Sequence, residues 1–402
     1  MKEKVRHIIS QLHPRRVSTL FNTFLRDESI SGKLILAAAI LSLVVVNSPL
    51  RVSYENFWHL PLSIGLGNWN LELDLRHWVN EGLMAFFFLV VGLEIKRELV
   101  KGELRELKTA ILPIGAAVGG MILPALVYLA FNSSGLTSQG WGIPIATDIA
   151  FAVAVLSLLG RHVPLSLKIF LLTLAIADDI GAIIIIALFY AEIIHYGFLL
   201  ASIGLVLSLF VFRKQLTDRL GLVVIAGAVL WVTTHLSGIH ASIIGAAMGL
   251  LAPVASQGNG LSVSEKVEKF FLPISTFLVL PLFAFANAGF VLTTDVLDDN
   301  SSVIWGIILG LIVGKSIGIT AVSWLLVKLG VAKLPEHVHW PHIVGVGFIA
   351  GIGFTVSIFI TELAFSGNTG LIDTAKVSIC IASIVSALLG MIVLRLVRQR
   401  NA

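Results

Sequence analysis

From near Gly32 to Arg395 the chain is a succession of apolar runs, each close to the roughly 20 residues that a helix needs to cross about 30 Å of hydrocarbon. Inside lipid no water is present to bond backbone N–H and C=O groups, so runs of this length must satisfy those groups within their own helices. Composition agrees: hydrophobic residues fill 56% of 402 positions, charged residues only 13%, and the mean hydropathy is +0.94, far from soluble domains. The runs predict an all-α polytopic membrane protein with twelve transmembrane helices, at 32–47, 78–95, 109–131, 141–159, 165–190, 197–212, 220–235, 239–254, 270–290, 304–327, 341–361 and 374–394.

The basic residues set the orientation of these spans. Alternate loops collect 24 of the 28 lysines and arginines, among them Lys96, Arg97, Lys101, Arg105 and Lys108, whereas the other side holds only Arg51, Arg76 and Lys376. By the positive-inside rule both termini are expected in the cytoplasm, which requires an even number of spans. The same asymmetry accounts for a pI near 9.2 without nucleic acid as a partner. The start, Met1 to Ile30, lacks the short apolar stretch and small-residue cleavage site of a secretory signal and is read as a retained cytoplasmic segment or an interfacial helix; Glu3, Asp27 and Glu28 argue against a transit peptide. The single cysteine, Cys380, allows no intramolecular disulfide and is read as a packing residue.

Spans 3–5 start from the cytoplasmic side and spans 10–12 from the opposite one, so any repeat relating the triplets must be inverted. Spans 4 and 11 hold matching places, and both are poor continuous helices. Span 4 carries Pro144 and then Thr147-Asp148 in IPIATDIAFA, and span 11 carries Gly345, Gly347, Gly351 and Gly353. Interrupted helices at corresponding positions point to a transporter binding site. Glycines that serve close helix packing are the competing reading.

A charge near the bilayer centre costs about 2.5–3.5 kcal/mol on insertion scales, so each intramembrane ionisable residue needs a reason. Four stand out: Asp148, Asp178, Asp179 and Lys315. Asp178 and Asp179 lie about 20 Å into span 5, at mid-membrane. Helix neighbours point about 100° apart, so the two carboxylates have different surroundings and different jobs: one ligates a cation, the other pairs with Lys315. Two close carboxylates resist being ionised together, and a carboxylate that holds either a proton or a metal ion is the minimal exchange device. Hard cations such as Na⁺ and Li⁺ take oxygen ligands, which Asp179, Asp178, the Thr147 hydroxyl and the carbonyls freed in span 4 can offer. Asp148 and Lys315 can also offset the partial charges of half-helix ends. The alternative for all four is a structural ion network.

At this point the residues resemble a known family. VGLEIKREL from Val91, IPIATDIAFA (143–152), LTLAIADDIGAIIIIALFY (172–190), LPLFAFANAG (280–289) and GIGFTVSIFI (351–360) are similar to stretches of the NhaA-type sodium/proton antiporters of bacterial inner membranes, and the likeness runs from about Ser31 to Arg398. The resemblance implies twelve helices with helices 4 and 11 crossed and partly unwound. It implies an ion and proton site at Asp179 and Asp178 with Thr147 and Asp148 beside it, and Lys315 as partner to Asp178. It also implies electrogenic exchange that rises at alkaline pH, no cofactor, no enzymatic activity, and a homodimer joined through a periplasmic β-hairpin. The segment 62–73, LSIGLGNWNLEL, suits that hairpin or a plain loop.

A cytoplasmic cluster responsive to pH is matched at Glu94, Arg97, Glu98 and Glu268, and at His240 in SGIHAS, but Lys269 and Leu272 stand where a well-studied member of the family has histidines. His240 and Glu81, near span ends, have a structural reading as well. The expected organisation is a cytoplasmic segment at 1–31, one transporter domain at 32–397 and a tail at 398–402. Other classes fit less well: an intramembrane aspartyl protease needs its aspartates on separate helices, a channel needs a ring-like filter, and a proton-coupled symporter needs ion and proton bound together.

Overall fold

The computed structural model describes residues 14–66, 69–160, 163–191, 193–213, 215, 220–253, 262–291 and 301–401. The chain opens with α1 (Pro14–Val46), which runs through residue 31, where the sequence suggested a boundary; residues 1–13 of that segment lie outside the described residues. A bend of 117° leads into α2 (Arg51–Trp58). An antiparallel hairpin follows, β1 (Pro61–Leu66) with β2 (Trp69–Asp74), registered from Pro61↔Asp74 to Leu66↔Trp69. Its Gly67-Asn68 turn is outside the described residues.

The base of the hairpin is tied by Asp74. Its carboxylate accepts from the His77 backbone N–H at 2.8 Å and lies 2.7 Å from His77 Nδ1 and 3.0 Å from His59 Nδ1. Partial burial pushes this carboxyl up, but the His77 and His59 hydrogen bonds outweigh it and hold it below its ordinary value. The Trp78 indole N–H donates to the Leu62 carbonyl at 3.0 Å and seats the hairpin on the helical body.

A π-helical turn, Trp78–Leu83, feeds α3 (Met84–Lys101), followed by α4 (Leu107–Phe131). Next come a 3₁₀ half-helix, Leu136–Ile145, then α5 (Ile149–Leu158), α6 (Leu165–Phe189), α7 (Tyr196–Phe212), α8 (Leu220–Leu236) and α9 (Ile243–Leu251). α10 (Val263–Ile274) passes through a π turn, Ser275–Val279, into α11 (Leu280–Asn287), and α12 (Ser301–Leu309) passes through another, Gly310–Gly314, into α13 (Lys315–Lys328). The chain ends with α14 (Trp340–Ala350), α15 (Phe354–Ala364) and α16 (Thr369–Asn401). Among the described residues five uninterrupted helical stretches are long and apolar enough to cross a membrane, and eight if each bent pair counts as one. The protein is thus a helical polytopic membrane protein. The run expected at 239–254 forms only the nine residues of α9, because Pro253 forces Ala252 into extended backbone (ψ 133°) and Gly238 turns the chain at φ +84° before it.

Two features position the centre of the molecule. First, α4 and α13 pack backbone to backbone at Gly119 and Gly318: a Cβ on Gly119 would stand 2.3 Å from the Gly318 carbonyl oxygen, and one on Gly318 2.1 Å from that of Gly119. That approach brings Lys315, one turn before Gly318, against the core. Second, two helices are broken. Leu136–Ile145 and α5 meet at 43° across residues 146–148, and α14 and α15 at 47° across residues 351–353. At the second break a Cβ on Gly351 would stand 2.3 Å from the Leu311 carbonyl oxygen, so only glycine fits.

Candidate functional site

A helix break frees backbone groups that cannot remain unpaired in an apolar interior. The two breaks supply each other. The Asp148 N–H donates to the Ile352 carbonyl at 2.7 Å, the Thr147 hydroxyl to the Ala350 carbonyl at 2.9 Å, and the Ser357 hydroxyl to the Ile143 carbonyl at 2.8 Å.

Charge from neighbouring helices completes the crossing. Lys315 is fully buried and donates to the Ile145 carbonyl at the end of the 3₁₀ half-helix, where the helix dipole is negative. Asp148 sits at the opposite kind of end. Its Oδ1 accepts from the Phe151 N–H at 3.2 Å and caps α5, while its Oδ2 accepts the Thr355 N–H at 3.0 Å at the start of α15. The Thr355 hydroxyl donates to the same oxygen. One carboxylate therefore caps two helix N-termini, one from each broken pair.

Asp178 and Asp179 face different surroundings, as neighbours on a helix must. Asp178 Oδ2 lies 2.6 Å from Lys315 Nζ and 2.7 Å from the Thr147 hydroxyl, whose single proton it shares with the Ala350 carbonyl; its Oδ1 has no partner among the described residues. Asp179 instead lines a cavity of about 60 Å³, shared with Glu94, Thr147, Asp148, Ser275, Thr276 and Thr355. Both aspartates are buried, at 1% and 7% exposure.

The predicted pH cluster divides into two. On α3, Arg97 pairs with Glu268 of α10 and lies 3.3 Å from Glu94, and Glu98 accepts the Glu103 N–H at 3.1 Å just past the helix end. Glu94, Arg97, Glu98 and Glu268 thus gather at one end of α3. His240 is not with them, and its expected place in this cluster is corrected. Its Nδ1 lies 2.7 Å from Glu81 Oε1 and its Nε2 2.8 Å from the Tyr190 carbonyl oxygen. Glu81 is 13 residues before Glu94 in sequence, about 20 Å along the helix, so His240 belongs to the other end. Proximity in a motif list carries no information on which end of a span a residue occupies. Lys269 and Leu272 follow Glu268 on α10, and Leu272 lines the cavity beside Glu94. Sequence reasoning missed Thr355. The signal was present, since a hydroxyl two residues beyond the Gly351–Gly353 break is placed to cap whatever faces that helix start.

Buried opposite charges at the crossing of two broken helices, inside an apolar helical body, define the class of secondary membrane transporters. More closely, this chain belongs to the Na+/H+ antiporter 1 family, whose profile matches residues 22–394. It is similar to the Na(+)/H(+) antiporter NhaA 2 of Clostridium beijerinckii, with 42% identity over 405 residues that cover 100% of this chain and 98% of that protein. It is also similar to the Na(+)/H(+) antiporter NhaA of Proteus mirabilis (45% over 381 residues, 94% and 97% covered) and to that of Helicobacter acinonychis (38% over 424 residues, 96% and 97%).

Proposed function

We propose that this protein is an electrogenic antiporter of the bacterial inner membrane that exchanges cytoplasmic Na⁺ or Li⁺ for external H⁺. The observation that carries the reading is the inequality of the two aspartates: Asp178 is held by Lys315 and Thr147, while Asp179 faces the cavity. Asp179 is the exchanging ligand. A proton on its carboxylate removes the charge that holds the ion, and a bound ion excludes the proton. Asp178, Thr147 and Asp148 complete an oxygen shell around the cation. When the cation draws on Asp178, the Lys315 pairing changes and a further proton is taken up or released, which makes the exchange electrogenic. No cofactor takes part.

The same reading places twelve spans in the membrane with both termini cytoplasmic, spans 3–5 and 10–12 as inverted repeats, and the divisions 1–31, 32–397 and 398–402. Its support is that the breaks, at 146–148 and 351–353, fall in the middle member of each triplet. We assign pH regulation to Glu94, Arg97, Glu98 and Glu268, with His240 acting from the opposite end through Glu81. A titration of the sodium response with Lys269→His tests the former group: the midpoint of activation moves, and an unmoved midpoint removes this cluster from regulation. We assign homodimerisation to the hairpin at 62–73. Deleting those residues leaves monomers in detergent, and a dimer population equal to wild type refutes it.

The transport reading is tested in everted vesicles with an acid interior, where added sodium dissipates the pH gradient. A symporter does not release luminal protons on cation addition. A sodium response that persists at normal affinity in Asp179→Asn overturns the site.

A further inference from the structure

One wall of the cavity beside Asp179 is made by neither a carboxylate nor a helix break. It is the π turn Ser275–Val279, where α10 passes into α11, and it presents Ser275 and Thr276, at 2% and 6% exposure. A buried serine or threonine in a helix ordinarily donates to the carbonyl four residues back. Ser157 does so to Val153 at 2.8 Å, Thr173 to Ile169 at 3.0 Å and Thr361 to Ser357 at 2.9 Å. Among the described residues neither the Ser275 nor the Thr276 hydroxyl donates such a bond. The Thr276 backbone carbonyl accepts the Ser31 hydroxyl at 3.1 Å. Both residues are buried, yet neither hydroxyl has a protein partner among the described residues and neither oxygen is sealed off, so both are open to whatever polar group the cavity holds. π turns inside α-helices recur at functional sites because they release backbone and side-chain groups from the helical pattern.

The lining also includes Glu94, which lies one helical turn before Arg97, and Leu272, one turn after Glu268. The cavity therefore extends from Asp179 toward the Arg97–Glu268 pair. Its oxygens are those that a hard monovalent cation prefers. From this placement we infer that Ser275 and Thr276 form a staging site, where Na⁺ exchanges part of its hydration shell for two hydroxyl oxygens, with Glu94 supplying charge, before it reaches Asp179. This inference rests on the reading of Asp179 as the exchanging ligand.

The test is the sodium dependence of proton release in everted vesicles for Ser275→Ala, Thr276→Val and Thr276→Ser. Loss of one hydroxyl ligand raises the apparent KM for Na⁺ about 5-fold at an unchanged maximal rate, and Thr276→Ser, which keeps the oxygen, behaves as wild type. Ser157→Ala, whose hydroxyl is tied to its own helix, leaves KM unchanged. If Thr276→Val does not accumulate in the membrane, Ser275→Ala alone is read by the same criterion. An unchanged KM in the hydroxyl variants, or an equal rise in Ser157→Ala, overturns the staging site. Asp179→Asn run in parallel separates the two failures: retained exchange there overturns the reading of Asp179 itself, whereas lost exchange together with normal hydroxyl variants overturns only the staging site.

Discussion

Replacing Asp179 by asparagine is expected to abolish sodium-driven proton release and leave a folded protein behind. Asparagine has nearly the same shape and removes only the charge. Among the described residues no protein donor bonds the Asp179 carboxylate, which instead faces the cavity, so the substitution orphans no partner. Burying a neutral amide is also less costly than burying an ion, so stability in detergent is expected to equal or exceed wild type. The cation, by contrast, loses the carboxylate at which it competes with the proton. A charge-assisted contact at the top of its range is worth about 3 kcal/mol, which corresponds to about 100-fold in apparent sodium affinity. Binding calorimetry on purified protein and the vesicle assay read the two consequences separately. Loss of transport accompanied by loss of folded protein would show that Asp179 serves the fold rather than the exchange.

How far the chain could be read without coordinates depended on the kind of constraint each residue carries. Apolar run length is a local property, and it located the helical stretches, including the discontinuities near Thr147 and Gly351, because proline and paired glycines mark a break in composition. Adjacent carboxylates in an apolar run are equally conspicuous, and helix geometry alone requires their surroundings to differ. What sequence does not encode is which partner lies across a crossing. Thr355 and Asp148 are 207 residues apart, and the contact of α15 with the cap of α5 exists only once both breaks meet. His240 was misplaced for the same reason: its partner Glu81 lies 159 residues away, and the end of α3 it reaches is decided by packing. The π turns were also illegible, since one extra residue per turn leaves no mark in composition, yet they bring Ser275 and Thr276 to the cavity and begin α13 at Lys315.

The second large effect is expected at Lys315, and it should appear in stability before it appears in transport. The ammonium lies 2.6 Å from Asp178 Oδ2 and also donates to the Ile145 carbonyl, and both partners are buried. Lys315→Met keeps most of the volume and removes the charge. Asp178 then retains only the Thr147 hydroxyl, with Oδ1 still unpartnered, and Ile145 loses the donor at the end of its half-helix. Breaking a buried pair by removing one partner costs about 3–5 kcal/mol, because the remaining charge is left uncompensated. At about 2–4 °C per kcal/mol, this lowers the thermal midpoint by about 10 °C. Replacing both partners by neutral groups is much less damaging than removing one, so Lys315→Met combined with Asp178→Asn is expected to recover most of that loss. The size of the recovery measures the coupling between the two residues, as in any double-mutant cycle. A double variant no more stable than Lys315→Met alone would show that the lysine acts mainly on the Ile145 carbonyl. In that event its contribution lies in holding the helix break, and the Asp178 pairing is a by-product of that placement.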